Sequence, residues 1–585
     1  MATVKEITTM CKAGQIQEAY DIAISDWEAD PANVWTQREV GWAVYYKMKA
    51  LAETGDYDHL LEQLEQLKSL DRLTIEEDNM IFENIVRFFG GYFKSNAFLN
   101  DNDPMLKLSA VMQKLQEYGF AEQNIQQQAG WALYYLIKSD ADVGEYDSLV
   151  THLNMLKSLD QLTMEHDSKI FDNMLFAVCK YIKNNVFLKD PSAPSKLSEI
   201  FSLLKDYNFN PSRGYSYLLQ NYLKFVDFWN EIVDFFEWWN LDNLTQEDFV
   251  PYVTERGNRM MTLAERALIA NSKALLKLKD LGRIEEFLPK LDKLMNDHPE
   301  MTYPGYFYGK LLLSLGDNEE EALKVVVPFA RKKSTEYWVW QLLSDVFAHD
   351  QEKQLACLLR AVNCRTQETF LGKVRIKLAD YYVRNKQYDK ARFHIDKVTR
   401  CYVEQGWKLP NEIEYWMHEP WLNTTTPNGD AGMDYKTITD AILCEGTEEA
   451  IAIVTYFDPN SKRVSMIYGW QKRLSQKLRT KVGPGAVLKI NYILEADGKP
   501  KVLNAVRGTF SNDLQYAKVV QGTISKRDDK PFAFLKTGTK DYFIPPATVQ
   551  KYHVTNGDEA KALAVYDYEK RKETWNWVCI SINKQ

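Results

Sequence analysis

Gly41 to Ile85 reads GWAVYYKMKALAETGDYDHLLEQLEQLKSLDRLTIEEDNMIFENI, and Gly130 to Met174 reads GWALYYLIKSDADVGEYDSLVTHLNMLKSLDQLTMEHDSKIFDNM, the same stretch returned 89 residues later without a gap. In both copies Leu, Ile and aromatic residues recur at the spacing of one helix face, broken at Gly55 and Gly144. A third, degraded copy follows. Gly214-Tyr215-Ser216-Tyr217 stands where Gly-Trp-Ala-Leu stood, and Asn240-Leu241-Asp242-Asn243-Leu244-Thr245 where Ser-Leu-Asp-Gln-Leu-Thr stood. A helical unit repeated in tandem buries its apolar face on the next copy, so the sequence predicts an all-helical repeat solenoid.

Outward from the duplication, shorter pieces carry a second pattern. Gly14-Gln15-Ile16-Gln17-Glu18-Ala19 is followed by Pro31, twelve residues after Ala19, and Leu378, Ala379, Tyr382, Lys386, Tyr388 and Ala391 repeat the theme downstream. These pieces resemble the tetratricopeptide (TPR) repeat, with Lys386 where that family usually has glycine. A small residue at the tightest crossing lets two helices approach, and a glycine breaks the chain between them. Gly55, Gly144, Gly282 and Gly316 are accordingly expected as inter-helix turns. The array is expected over residues 1–408, with the duplication in 1–262 and TPR-like repeats in 263–408. Phe225, Phe228, Trp229, Phe235, Phe236, Trp238 and Trp239 are read as core and inter-repeat packing rather than a ligand groove.

Composition narrows the function classes. With 585 residues, 45% hydrophobic and 26% charged, and only 27 Gly and 19 Pro, the chain is neither collagen-like nor low in complexity and is long enough for several domains. Apolar runs such as KVVVPFA fall far short of a membrane span, and the start lacks a secretory pattern. Seven cysteines are dispersed without a Cys-x-x-Cys pair, so a reduced, cytoplasmic protein without a metal site or cofactor is expected. Charge is split along the chain. Residues 441–585 hold 23 Lys and Arg against 15 Asp and Glu, a net of +8, while the preceding residues hold 49 against 66, a net of −17. A basic piece on an acidic body points to a polyanion-binding module, or to halves that attract each other.

Residues 409–437 change character: Pro410, Pro420, Pro427-Asn428-Gly429 and Gly432 interrupt any helix, and a linker is expected there. Beyond it, runs such as Ala450-Ile451-Ala452-Ile453-Val454-Thr455-Tyr456-Phe457 alternate at strand period. Two small five-stranded barrels are expected, at 438–510 and 511–585. In Lys530-Pro531-Phe532-Ala533-Phe534-Leu535-Lys536, alternation puts Ala533 and Leu535 on one face, and Lys530, Phe532, Phe534 and Lys536 on the other. Asp541-Tyr542-Phe543-Ile544-Pro545 and Val554-Thr555-Asn556-Gly557-Asp558 follow. In the preceding half, QKRLSQKLRTK carries Lys472, Arg473, Lys477, Arg479 and Lys481 with no acid between them, the pattern of a phosphate-contacting patch.

The order of an aromatic strand, a second aromatic strand, a loop and Gly-Asp before a fourth strand resembles the cold-shock and S-one-type RNA-binding domains of the oligonucleotide-binding (OB) fold. The resemblance implies that Phe532, Phe534 and Phe543 stack on unpaired bases, with Lys526, Arg527, Lys530 and Lys536 beside them. Pro531 and Ala533 replace glycines of that family, Pro545 its histidine, and Lys526-Arg527 lie at its first-strand tryptophan. In the preceding barrel Tyr456 keeps the first-strand aromatic, while Val464 and Met466 stand where rings are expected. Trp575 and Trp577 are expected to dock against the first barrel. A helical array followed by such OB modules resembles the repeat-plus-OB proteins of bacterial TOTE-type conflict systems. That resemblance implies a non-catalytic adaptor, with protein partners on the array and RNA or single-stranded DNA on the barrels. A pure protein-interaction scaffold is the alternative, and chemistry assembled from distant residues is the third reading. Phosphate loops, nucleophile elbows and metal-ligand spacings are all missing from the sequence.

Overall fold

In a computed structural model, the two copies of the duplicated stretch fold alike down to single hydrogen bonds. The structure describes residues 2–584 except 317, 431–433, 479–481, 496–497 and 570–572. The helices Val34–Thr54 and Glu122–Val143 end at Gly55 and Gly144 in the left-handed conformation, with φ of 78° and 87°. A Cβ on Gly41 would lie 2.8 Å from Leu73 Cδ1 and 3.1 Å from Ile81 Cδ1. On Gly130 it would lie 2.9 Å from Leu162 Cδ1 and 3.1 Å from Ile170 Cδ1. The repeat thus conserves a crossing with little room for a side chain. Gln37 donates to Asp71 (2.7 Å) and accepts from the Arg72 amide (2.8 Å), and Gln126 repeats both with Asp160 and Gln161 (2.9 Å each).

The third copy keeps the turn although its sequence has drifted. The Asp78 and Asp167 carboxylates accept from the Thr74 and Thr163 amides, and Asp248, one residue nearer, accepts from Thr245 N at 2.8 Å. Its aromatic cluster is core. Phe225, Trp229, Phe235, Phe236 and Trp239 are buried, while Phe228 is exposed. Tyr222 stacks on Phe235 at 4.2 Å between centroids. Tyr215 and Trp239 stack at 4.8 Å and exchange hydrogen bonds, each side chain donating to the other's carbonyl at 3.1 Å. Buried rings with satisfied polar tips are packing elements.

The chain divides into two compact units, Met1–Pro304 and Gly305–Gln585. In the second, Lys386 takes a φ of 56° between the helices Gly372–Arg384 and Tyr388–Gln405, so lysine occupies the glycine position. Ala379 and Ala391 are fully buried at that hairpin. Gly282, expected in a turn, instead lies in the helix Leu281–Asp297 of the first unit. Lys279, with φ of 59°, makes that turn, because Asp280 already caps the helix by accepting from Arg283 N.

The expected linker at 409–437 is largely helical. Asn411–Met417 and Pro420–Thr424 are short helices, and Tyr435–Cys444 is a longer one. Proline has no N–H to lose at a helix start, so Pro410 as N-cap and Pro420 in the first turn open helices rather than break them. Ile413 and Trp416 bury against Ala379, Ile395 and Val398, and Asp430 accepts from the Tyr382 hydroxyl at 2.7 Å. Gly432 lies outside the described residues. Helix Tyr435–Cys444 packs on helix Gln351–Val362, so residues 438–444 belong to the helical layer.

The first sheet comprises β1 (Glu448–Phe457), β2 (Arg463–Gly469), β3 (Lys472–Lys477), β4 (Val487–Leu494) and β5 (Pro500–Arg507), in the order β3-β2-β1-β4-β5. The second comprises β6 (Ala517–Lys526), β7 (Ala533–Lys536), β8 (Asp541–Ile544), β9 (Glu559–Glu569) and β10 (Thr574–Lys584), a closed barrel in the order β10-β8-β7-β6-β9. Both have one topology: a three-stranded meander, a fourth strand beside the first, and a fifth next to the fourth. In the second barrel β10 also runs parallel to β8, closing the circle. The first sheet draws its ends together through a side chain. Gln476 of β3 donates to the Val502 carbonyl of β5 (2.8 Å) and accepts from its amide (2.9 Å). A helical array followed by two OB-type sheets is therefore the architecture.

Candidate nucleic-acid interface

On β7 the alternation read from the sequence is present in space. Ala533 and Leu535 point into the barrel core, while Phe534 and Lys536 are exposed and Phe532 is half-buried. Phe534 lies opposite Ser525 of β6 and Phe543 of β8, and Phe543 lies opposite Val578 of β10. One outward row of the barrel thus carries two of the rings, and Phe532 completes a triangle. The ring centroids are 5.8 Å apart for Phe532–Phe534, 5.6 Å for Phe532–Phe543 and 5.8 Å for Phe534–Phe543. Three rings meeting edge to face or tilted hold one another in place while Phe534 keeps 36% of its surface in solvent.

Cations neighbour the triangle along the chain, but Lys526, expected beside the rings, is the cross-strand partner of the core residue Ala533 and so stands on the inward side of β6, away from Phe534. Arg527, Lys530 and Lys536 are exposed and Lys526 is half-buried. Carboxylates moderate them: Lys530 lies 3.7 Å from Asp529, and Lys536 is the cross-strand partner of Asp541. The loop before β9 is tied to the same strand, with Asn556 accepting from Lys526 N at 2.9 Å and Gly557, at φ 87°, donating to Ile524 O at 2.8 Å. Pro545, where the resembled family has histidine, caps the helix Pro546–Lys551.

Asp558 of the Gly-Asp pair anchors this loop. Its carboxylate accepts from Lys584 Nζ (2.8 Å) and from Thr555 Oγ1 (2.6 Å) and N (2.9 Å), which hold its pKa down at about 2. A depressed folded pKa contributes stability above the unfolded aspartate value near 4, lost as pH falls toward about 2. Asp558→Asn is therefore expected to lower the melting temperature of the barrel at pH 7 and to match the parent once both are held below pH 2. Melts followed by near-ultraviolet circular dichroism check this, and a deficit that persists undiminished below pH 2 would refute it.

The basic run of the first barrel is not one patch. Lys472 and Lys477 are exposed, and Leu474 between them enters the core. Arg473, expected at phosphate, instead lies 3.4 Å from Asp567 of β9, and both side chains are largely covered. Burial raises the Asp567 pKa and Arg473 opposes that rise, so this pair fastens one barrel to the other. Arg479 and Lys481 lie outside the described residues. Tyr456 is exposed on β1, opposite Ser465. Val464 and Met466 point into the first barrel's core.

Two residues were missed by the sequence reading. Trp470 stacks on Tyr566 of the second barrel at 4.2 Å, with ring planes 11° apart. Lys518 lies 4.4 Å over the Trp577 ring. Trp575 joins the cluster of Ile453, Ile467, Tyr516 and Val565 between the barrels, as expected, but Trp577 packs on its own barrel's core beside Tyr542. The seam itself was signalled by the expected docking of Trp575, but nothing in the sequence pointed to Trp470 as its partner or to Lys518 over Trp577.

Residues 518–582 match the model of the S1/CSD-like domain 2 of the TOTE conflict systems. That segment runs from Lys518 to Ile582 and contains the whole ring triangle. Residues 302–441, in the helical layer, match a domain of unknown function, DUF7017. No curated protein matches the chain. Among solved structures, a chain of "Structure of Naa15/Naa10 bound to HypK-THB" aligns over 69% of this chain and 67% of its own length at 12% identity. Its TM-score is 0.20, too loose a superposition to support a shared fold. Among the described residues no group of His, Cys, Asp and Glu is placed to hold a metal ion, and no helix is long and apolar enough to cross a membrane.

Proposed function

We propose that this chain is a non-catalytic, cytoplasmic adaptor of a bacterial conflict or defence system, which grips RNA or single-stranded DNA on its second barrel and protein partners on its TPR-like array. The observation that carries this reading is the partly exposed Phe532, Phe534 and Phe543 triangle within the S1/CSD-like segment, with the exposed Arg527, Lys530 and Lys536 close by in the chain. Bases stack on such rings irrespective of sequence, and the cations neutralise backbone phosphate. The net of +8 over residues 441–585 favours that contact.

Fluorescence anisotropy of the full chain with labelled single-stranded RNA and DNA at two salt concentrations tests the proposal. Affinity that falls steeply with salt is expected. Absence of binding at low salt would leave the scaffold reading in its place, a reading favoured by the aromatic surface already committed between the barrels at Trp470, Tyr566 and Trp575.

A further inference from the structure

A cavity of about 320 Å³ opens where the ends of the first sheet meet the helical layer of the second unit. Four cations reach it. Arg331 comes from the helix Glu319–Lys333, Arg360 from the helix Gln351–Val362, Lys477 from the end of β3 and Lys501 from β5. Among the described residues Asp440 is the one carboxylate in its wall, and no aromatic ring lines it. Gln476 and Asn504 add side-chain amides.

The two arginines are held in place before any ligand arrives. Arg331 donates through Nε to the Leu443 carbonyl at 2.8 Å and through Nη2 to the Glu445 carbonyl, which fixes its fork at the end of helix Tyr435–Cys444. Arg360 is more than nine-tenths buried, with its guanidinium 5.3 Å from the Trp340 ring centroid. Its two polar side-chain contacts among the described residues, to Thr439 Oγ1 and to Asp440, are both 3.4 Å long. A guanidinium carries five N–H donors, and these two long contacts leave donors of Arg360 for a further acceptor in the cavity. Lys477 has no carboxylate within ion-pair distance among the described residues, and Lys501 has Glu495 at 3.3 Å.

We infer that this cavity is a phosphate-binding site, distinct from the ring triangle on β7 and β8. The guanidinium groups, held by the protein, offer a phosphate positive charge and the donors not already given to carbonyls, Lys477 and Lys501 add two ammonium groups to the same wall, and the ringless wall suits a phosphate group rather than a base. The phosphate is free, as in pyrophosphate, or terminal on a nucleic-acid strand. Either source bridges the helices to the first sheet through one anion. The inference does not rest on base stacking at the second barrel.

Isothermal titration of the full chain with pyrophosphate, at constant ionic strength set with chloride, is the test. Saturable binding is expected, weakened at least tenfold in Lys477→Ala/Lys501→Ala and unchanged in Phe532→Ala/Phe534→Ala. Because Lys477 is exposed and Lys501 half-buried, the double lysine variant should keep the parent's far-ultraviolet circular dichroism, and its titration then reports the site alone. Competition by a 5′-phosphorylated oligonucleotide but not by its 5′-hydroxyl twin identifies a strand end as the ligand; competition by neither identifies free phosphates. No saturable binding of pyrophosphate, or equal affinity in the lysine variant, overturns the site.

Discussion

Replacing Phe532 and Phe534 together by alanine should cost the full chain about 1–3 kcal/mol of oligonucleotide affinity for each base that stacks. The fold should survive it. Phe534 is exposed and Phe532 half-buried, and both stand on the face of β7 opposite to Ala533 and Leu535, so the barrel core is untouched. Anisotropy titrations of parent and variant, with melts run in parallel, separate the two roles the rings can have. Lost affinity at an unchanged melting temperature means the rings contact bases. A lowered melting temperature at unchanged affinity would mean that they merely shelter the outer face of the barrel, and base stacking would be refuted.

Lys536→Ala provides the electrostatic counterpart. A single phosphate contact changes the slope of log affinity against log salt by roughly 0.7 for a single strand. Rings contribute affinity that salt does not remove, whereas lysines contribute affinity that it does. Asp541 is the cross-strand partner of Lys536, and its negative charge lowers the potential that a strand phosphate meets there, so the lysine's share should be small. The triangle, not the cations, is therefore expected to dominate at physiological salt.

How far these features were legible in the sequence depended on the range of the interaction that makes them. The duplication could be read because one repeat meets its own turn through contacts within about forty residues, such as Gln37 with Asp71 and Gln126 with Asp160. The face of β7 was legible for the same reason: inward and outward sides follow from parity along one strand. Residues 409–430 misled because proline was read as a breaker, when it stands at helix starts where its missing N–H is harmless. Arg473 misled because its partner, Asp567, lies on another barrel, and a run of cations in sequence does not say which of them a neighbouring domain will cover. The cavity around Arg360 was invisible for a like reason, its four cations coming from two helices and two strands.

Gly522→Ala should have the larger effect on the structure. Gly522 lies on β6 opposite Ala560, at the point where β7 ends at Lys536. A Cβ there would sit inside van der Waals contact with the Lys536 carbonyl oxygen, 2.8 Å from the carbonyl carbon and 3.3 Å from Thr537 Cα. These are backbone atoms, so no side chain can swing aside to relieve the overlap. Lys536 is also paired with Thr523 and Asp541, and pushing its carbonyl away strains the ladders on both sides of β7. Overpacking of this kind costs about 1–3 kcal/mol in an ordinary core and more when backbone must move, against roughly 5–15 kcal/mol for a whole domain. Because β7 sets the row that joins Phe534 to Phe543, oligonucleotide affinity should fall together with the melting temperature, unlike the result expected for the phenylalanine pair. Gly483→Ala serves as the control, since a Cβ there meets nothing within 4 Å and the change should stay within about 0.5 kcal/mol. Equal melting temperatures for the two alanine variants would show that β6 and β7 do not approach as closely as this geometry requires, and the placement of the ring triangle would fall with it.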